Sequence, residues 1–166
     1  MSLYTLNTTD KAQAYEIFEA CCCAPNWVER MVAARPFPDQ KTLLAQATRI
    51  WQSLGEQDYL AAFLGHPQIG NLSTLKTKYA NTSNTAGHEQ SGMSVAQTSV
   101  IEKMLALNKT YLEKFGFIFI VFASGKSAEQ MLDLISARIH NDRSTELTIA
   151  AGEQAKITAN RLEKLL

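Results

Sequence analysis

Three residue types in this 166-residue chain point to acid–base chemistry on a small anion. The first is His66, in the run His66-Pro67-Gln68-Ile69-Gly70. Proline disfavours helical dihedrals in the residue before it, so His66 is expected on a stiff, non-helical corner. An imidazole held there exchanges protons near neutral pH. The second is Arg161. Placed on a final helix at about 100° per residue, Leu147, Ala150, Ala151, Ala155, Ile157, Leu162 and Leu165 share one broad arc, and Arg161 falls inside it, about 40° from Ile157. Glu146, Glu153, Lys156 and Asn160 fall outside that arc. An inward charge needs a partner. Either the arginine makes a structural ion pair, or its stem snorkels to water, or its fork donates two parallel hydrogen bonds to a planar anion. The third is Glu89, next to Gln90, in the expected first turn of a long helix. Free backbone N–H groups and the macrodipole there favour a carboxylate or a bound anion. Each feature also has a plainer reading, a surface histidine or a structural arginine, and spacing alone does not bring the three together.

The elements that must position these groups read as helices. Thr8 or Thr9 is expected to cap a first helix running to about Cys23, with Tyr15, Phe18 and Cys22 along it. Pro25 breaks it, and Asn26 starts a second helix in a capping-box pattern with Glu29. Prolines at Pro36 and Pro38 end that one. Asp39 caps a third, whose Leu43, Leu44, Ala47, Ile50, Trp51 and Leu54 fall at helical spacing. A fourth, Glu56 to Leu64, leads to His66, with Gly65 expected at its C-cap because glycine takes left-handed dihedrals freely. A short amphipathic piece (73–80), a polar loop (81–87) and a long helix from about His88 to Lys114 follow. Phe115 to Ala123 is the most apolar stretch; it reads as a buried extended segment with no strand to pair with. Ser127 caps the next helix with Gln130 in capping-box position, Asn141 to Ser144 ends it, and the last helix runs from about Thr145. Trp27, Trp51 and Tyr111 sit on apolar faces and read as core. The expected fold is all-α: a single domain, 1–166, of about eight helices with one extended apolar connector.

Composition narrows the function. Lys+Arg and Asp+Glu number 16 each, a formal net charge of zero. This argues against a broad electrostatic grip on nucleic acid or an anionic membrane. No apolar run approaches the roughly 18 residues of a membrane span, and the N-terminus shows no secretion signal. All three cysteines are adjacent, Cys21, Cys22 and Cys23. Neighbours on a helix point in different directions and build no disulfide framework, so reduced thiols and a cytoplasmic location are expected. No second ligand cluster accompanies them.

An ordered set of segments resembles one family. His66-Pro67-Gln68-Ile69-Gly70 is similar to the His-Pro-x-Ile-Gly motif of the 2-oxo-4-hydroxy-4-carboxy-5-ureidoimidazoline (OHCU) decarboxylases. Trp27-Val28-Glu29-Arg30-Met31 with Arg35-Pro36-Phe37, Glu89-Gln90-Ser91-Gly92, Lys114-Phe115-Gly116-Phe117, and Glu153-Gln154-Ala155-Lys156-Ile157 through Arg161-Leu162 agree in the same order. The compact loop between the histidine and glutamate motifs resembles bacterial members. The resemblance implies a cofactor-independent, metal-free carboxy-lyase of urate breakdown, an all-helical homodimer that converts a ureidoimidazoline to (S)-allantoin. It implies His66 as proton donor, with Glu89 and Arg161 catalytic and Pro67 and Gln90 binding substrate. The segment Phe119, Ile120, Val121, Phe122 and Ala123 is then a source of backbone contacts. One departure concerns a family serine, replaced here by Ala86, whose contact is lost or passes to Ser83, Thr85 or His88. The competing readings are a non-enzymatic helical module that binds a purine-like metabolite or a protein partner, and a metal site built from His66, His88, Glu89 and His140. The second lacks the spacing that sets two imidazoles on one helix face.

Overall fold

The computed structural model describes residues 1–67 and 95–166, with side chains described from residue 98 in the second stretch. Among these residues there are eight helices and no strand: α1 Leu3–Thr8, α2 Lys11–Cys21, α3 Pro25–Ala33, α4 Gln40–Gln52, α5 Glu56–Phe63, α6 Val95–Phe115, α7 Ala128–Arg138 and α8 Arg143–Leu165. The all-helical expectation holds.

Helix ends follow local chemistry, and several differ from expectation. The side chain of Ser2 accepts from Thr5 N–H and starts α1, a six-residue helix too short to leave a periodic pattern in the sequence. Asp10, not Thr8 or Thr9, caps α2 by accepting from Gln13 N–H at 2.8 Å, and α2 stops at Cys21. Pro25 opens α3 as its first residue, where a missing N–H costs nothing. Asn26 is therefore inside the helix; its amide donates to Asp58 Oδ1 at 2.7 Å instead of capping. The Asp39 cap and the Ser127–Gln130 capping box form as expected. Asp142 accepts from Thr145 N–H at 2.7 Å, so α8 begins at Arg143, within the stretch expected to be a break. Gly65 is not a left-handed C-cap: α5 ends through Leu64 in a right-handed conformation. The left-handed cap belongs to Gly116, φ 79°, whose N–H donates to Leu112 O at 2.9 Å and closes α6. Phe115 thus belongs to that helix, and the extended connector starts after it.

The chain forms two compact units. The first comprises Met1–His66, Ile120–Phe122 and Leu147–Leu166. Leu6, Phe18, Trp27, Val28, Met31, Leu43 and Leu162 are fully buried in its core. Both tryptophans satisfy their indole N–H on backbone carbonyls, Trp27 on Ala47 at 3.1 Å and Trp51 on Ala151 at 2.9 Å. This is how a buried indole avoids an unpaired donor. The Phe18 ring meets Trp27 and Phe37 edge-on. The long apolar arc of α8 forms the floor of this unit through Ala150, Ala151 and Leu162.

The second unit holds, among the described residues, α6, α7 and the first turn of α8. Ile101, Met104, Tyr111, Phe115, Met131 and Ile135 are buried in it. Its centre is polar. Arg138 Nε lies 2.5 Å from Glu146 Oε1, Tyr111 donates its hydroxyl to the same oxygen at 2.7 Å, and Asn141 donates to Oε2 at 3.0 Å. The Phe119 ring covers the Arg138 guanidinium at 4.4 Å. Burial and the neighbouring carboxylate push the Tyr111 phenol well above its usual range, so it stays a donor. Glu146 was expected on the polar side of the final helix and is instead 0% exposed. A single helical wheel carries no record of the α6 and α7 groups that surround this end of α8.

Candidate active site

His66 follows the last turn of α5, its backbone N–H donating to Phe63 O at 3.1 Å. The turn is set by a close approach. Cys23 Sγ lies 3.4 and 3.5 Å from the carbonyls of Ala61 and Ala62 at the end of α5, the second of which also accepts from Gly65 N–H at 3.2 Å. A Cβ at Gly65 would overlap that sulfur and lie 3.3 Å from Cys23 Cβ. Glycine is needed at position 65 for space, not for its dihedrals. Gly65→Ala is therefore expected to lower stability by about 1–3 kcal/mol through overpacking. Adding Cys23→Ala should recover most of that loss in urea unfolding, whereas a double variant as weak as the single one would show that the clash is not the cause.

His66 and Arg161 line one cavity of about 370 Å³, together with Glu19, Ala20, Cys22, Cys23, Ala62, Gly65 and Gln154. His66 is half-buried. Its Nε2 lies 2.5 Å from Gln154 Oε1. Arg161 was expected to face inward, yet it is exposed, with Nη1 donating to Cys21 O at 3.2 Å. The arc of α8 runs past the edge of the core at this turn, so the guanidinium sits at the cavity wall rather than within the packing. The C-terminal end of α2 favours a cation there through its macrodipole. Burial pushes the Cys22 thiol up to about 11 and raises that of Cys21, with Arg161 pulling weakly the other way. Both remain neutral thiols at physiological pH. The charged groups on the cavity are thus the guanidinium and the exposed Glu19 carboxylate, with the His66 imidazole between protein and solvent.

Glu89, Gln90 and Ala86 lie outside the described residues, as do Ser83, Thr85 and His88. Pro67 is exposed. In the connector, Ile120 is buried, and Phe119, Val121, Phe122 and Ala123 are half-buried, in irregular backbone. Among the described residues no three His, Cys, Asp or Glu side chains are grouped to hold a metal ion. No described helix is long and apolar enough to cross a membrane. Gln154, which lines the cavity, and its hydrogen-bond partner Thr158 escaped the sequence reading. Gln154 is 1% exposed and Thr158 6%. At about 100° per residue both fall within the apolar arc of α8, about 40° and 80° from Ala150. The argument that singled out Arg161 applies equally to them.

A sequence model of the OHCU decarboxylase family matches residues 7–163. The chain belongs to the OHCU decarboxylase family. Among relatives, the uric acid degradation bifunctional protein TTL of Arabidopsis thaliana is 32% identical over 149 residues, 89% of this chain and 46% of that protein. The decarboxylase of Halalkalicoccus jeotgali is 27% identical over 166 residues and is covered to 92% of its length. The chain spans less than half the length of the bifunctional relatives, down to 28% of the one from Bacillus subtilis. A crystal structure of an OHCU decarboxylase in the presence of (S)-allantoin superposes with a TM-score of 0.73 at 30% identity, over 95% of this chain and 98% of that one. An (S)-allantoin synthase structure, 17% identical with a TM-score of 0.70, shares the fold.

Proposed function

We propose that this chain is a carboxy-lyase that converts 2-oxo-4-hydroxy-4-carboxy-5-ureidoimidazoline to (S)-allantoin without a cofactor. Family membership sets the reaction class, and the superposed relative was crystallised in the presence of (S)-allantoin. The observation that carries the reading to particular residues is the shared cavity of His66 and Arg161. An imidazole and a guanidinium on one small wall suit a planar, anionic, amide-rich ring.

The chemistry assigns each group a role. The bond from the ring carbon to the carboxylate breaks, carbon dioxide leaves, and the electron pair enters conjugation with the neighbouring ring carbon and its imine nitrogen. A proton from solvent neutralises the former imine nitrogen, and His66 takes the proton of the substrate hydroxyl and delivers a proton to one face of the adjacent carbon, giving the lactam carbonyl, the ring N–H and one stereocentre. Arg161 stabilises the developing negative charge, the kind of effect that is often the largest in enzymes. Glu89 and Gln90 hold the ureido group, Pro67 and the backbone of Phe119 to Ala123 complete the binding surface, and the position of Ala86 takes the place of a family serine. The working unit is one domain, 1–166, in a cytoplasmic homodimer.

Stereochemistry is the decisive assay, because protonation in bulk solvent gives both enantiomers. Circular dichroism of the allantoin formed is expected to show the S form alone; racemic product in the presence of protein would defeat the reading. Arg161→Lys replaces a planar fork with a point charge. Losing one charge-assisted bond of about 1.5–3 kcal/mol lowers kcat/KM by roughly 10–100-fold. Unchanged kinetics would make the arginine structural.

A further inference from the structure

We propose that Gln154 is the positioning residue for His66, its side-chain oxygen holding the imidazole Nε2–H and so fixing both ring rotation and neutral tautomer. The inference rests on His66 being the proton carrier of the proposed reaction.

The observation is a buried amide where packing favours carbon. Gln154 is 1% exposed on the face of α8 that elsewhere presents Ala150, Ala151 and Leu162. Burying an amide without partners costs on the order of 1–3 kcal/mol. Both ends of this one are engaged: Oε1 with His66 Nε2 at 2.5 Å, and Nε2 donating to Thr158 Oγ1 at 3.1 Å. Thr158 is itself 6% exposed. The three groups form a line from the core to the cavity wall.

That line has a direction. The amide nitrogen of Gln154 donates to the Thr158 oxygen. The amide oxygen is then the group turned to the imidazole, and an oxygen there only accepts. His66 Nε2 must carry the proton, and the basic lone pair of the neutral ring resides on Nδ1. Gln154 thereby sets which nitrogen takes the substrate proton and where it points. Orientation of this kind acts at the transition state, so its loss appears in kcat more than in KM.

Gln154→Met keeps length and packing and removes the acceptor. The full-length variant is expected to lose about 10²-fold in kcat with KM close to wild type. Nitrogen-15 NMR reads the second half of the claim, with the His66 signals identified by their absence from His66→Asn. Above its titration, wild-type His66 should show a protonated Nε2 and an unprotonated Nδ1, and Gln154→Met should show a mixture. A merely structural glutamine would lower the melting temperature and leave tautomer and kcat in place, which would overturn the proposal. So would an Nδ1–H tautomer in the wild type, and that measurement decides alone if the variant does not fold. Racemic allantoin from wild type would refute the enzymatic reading, while the wild-type tautomer would still judge the bond between Gln154 and His66.

Discussion

His66→Asn is expected to lower stereospecific turnover by about 10²–10⁴-fold, the range that general acid–base help contributes. Far-UV circular dichroism and the melting temperature should stay close to wild type. The reason is the position of the side chain. His66 is half-buried at the wall of an open cavity, outside the packed core that Leu6, Phe18, Trp27 and Leu162 build. An asparagine amide ends near the level of Nδ1 and does not reach the Nε2 position, so water from the open cavity takes over the Gln154 oxygen. What disappears is the one group on the described wall able to accept and return a proton near neutral pH. The residual reaction should yield allantoin with reduced enantiomeric excess, because proton delivery passes to solvent. Wild-type kcat with full S selectivity in this variant would move the proton to another residue and end the assignment.

The largest expected effect on stability lies in the second unit. Arg138→Met is expected to cost about 3–5 kcal/mol, the cost of leaving one member of a buried ion pair behind. On a chain of this size that corresponds to a melting temperature lower by roughly 6–20 °C. Glu146 is 0% exposed, and after the substitution its carboxylate keeps only the Tyr111 hydroxyl and the Asn141 amide. Two neutral donors do not offset the desolvation of a full charge. The guanidinium also fills the space under the Phe119 ring, so packing is lost with charge. The double variant Arg138→Met with Glu146→Leu should recover most of the loss, because removing both charges removes the desolvation cost as well. A single variant that melts within a degree or two of wild type would show that water reaches the site. A double variant no better than the single would assign the effect to shape rather than charge.

The helical architecture was legible in the sequence because it depends on short-range rules. Asp39 and Ser127 cap their helices through side chains that reach only three residues ahead. The apolar faces bearing Trp27, Trp51 and Tyr111 are written in spacing alone. The same rules failed where two local solutions compete. Pro25 can end one helix or open the next, and the structure uses it to open α3. Gly65 and Gly116 both sit past a helix, yet only Gly116 takes a left-handed conformation. Cys23, 42 residues before Gly65 in sequence, decides the other.

For the site, the sequence by itself determined which groups with proton or anion chemistry exist, and the ordered motifs tied them to one family. Only the tertiary structure decided that His66 and Arg161 face one cavity, and that the arginine reaches it from an exposed position on α8. The structure alone also showed that Gln154 stands behind the histidine and that Glu146 lies in the core. The reason is the reach of the interactions. Periodicity records which side of one helix is apolar. It holds no information about which groups from other helices arrive at that side, and those arrivals set the burial, pairing and protonation of every polar residue discussed.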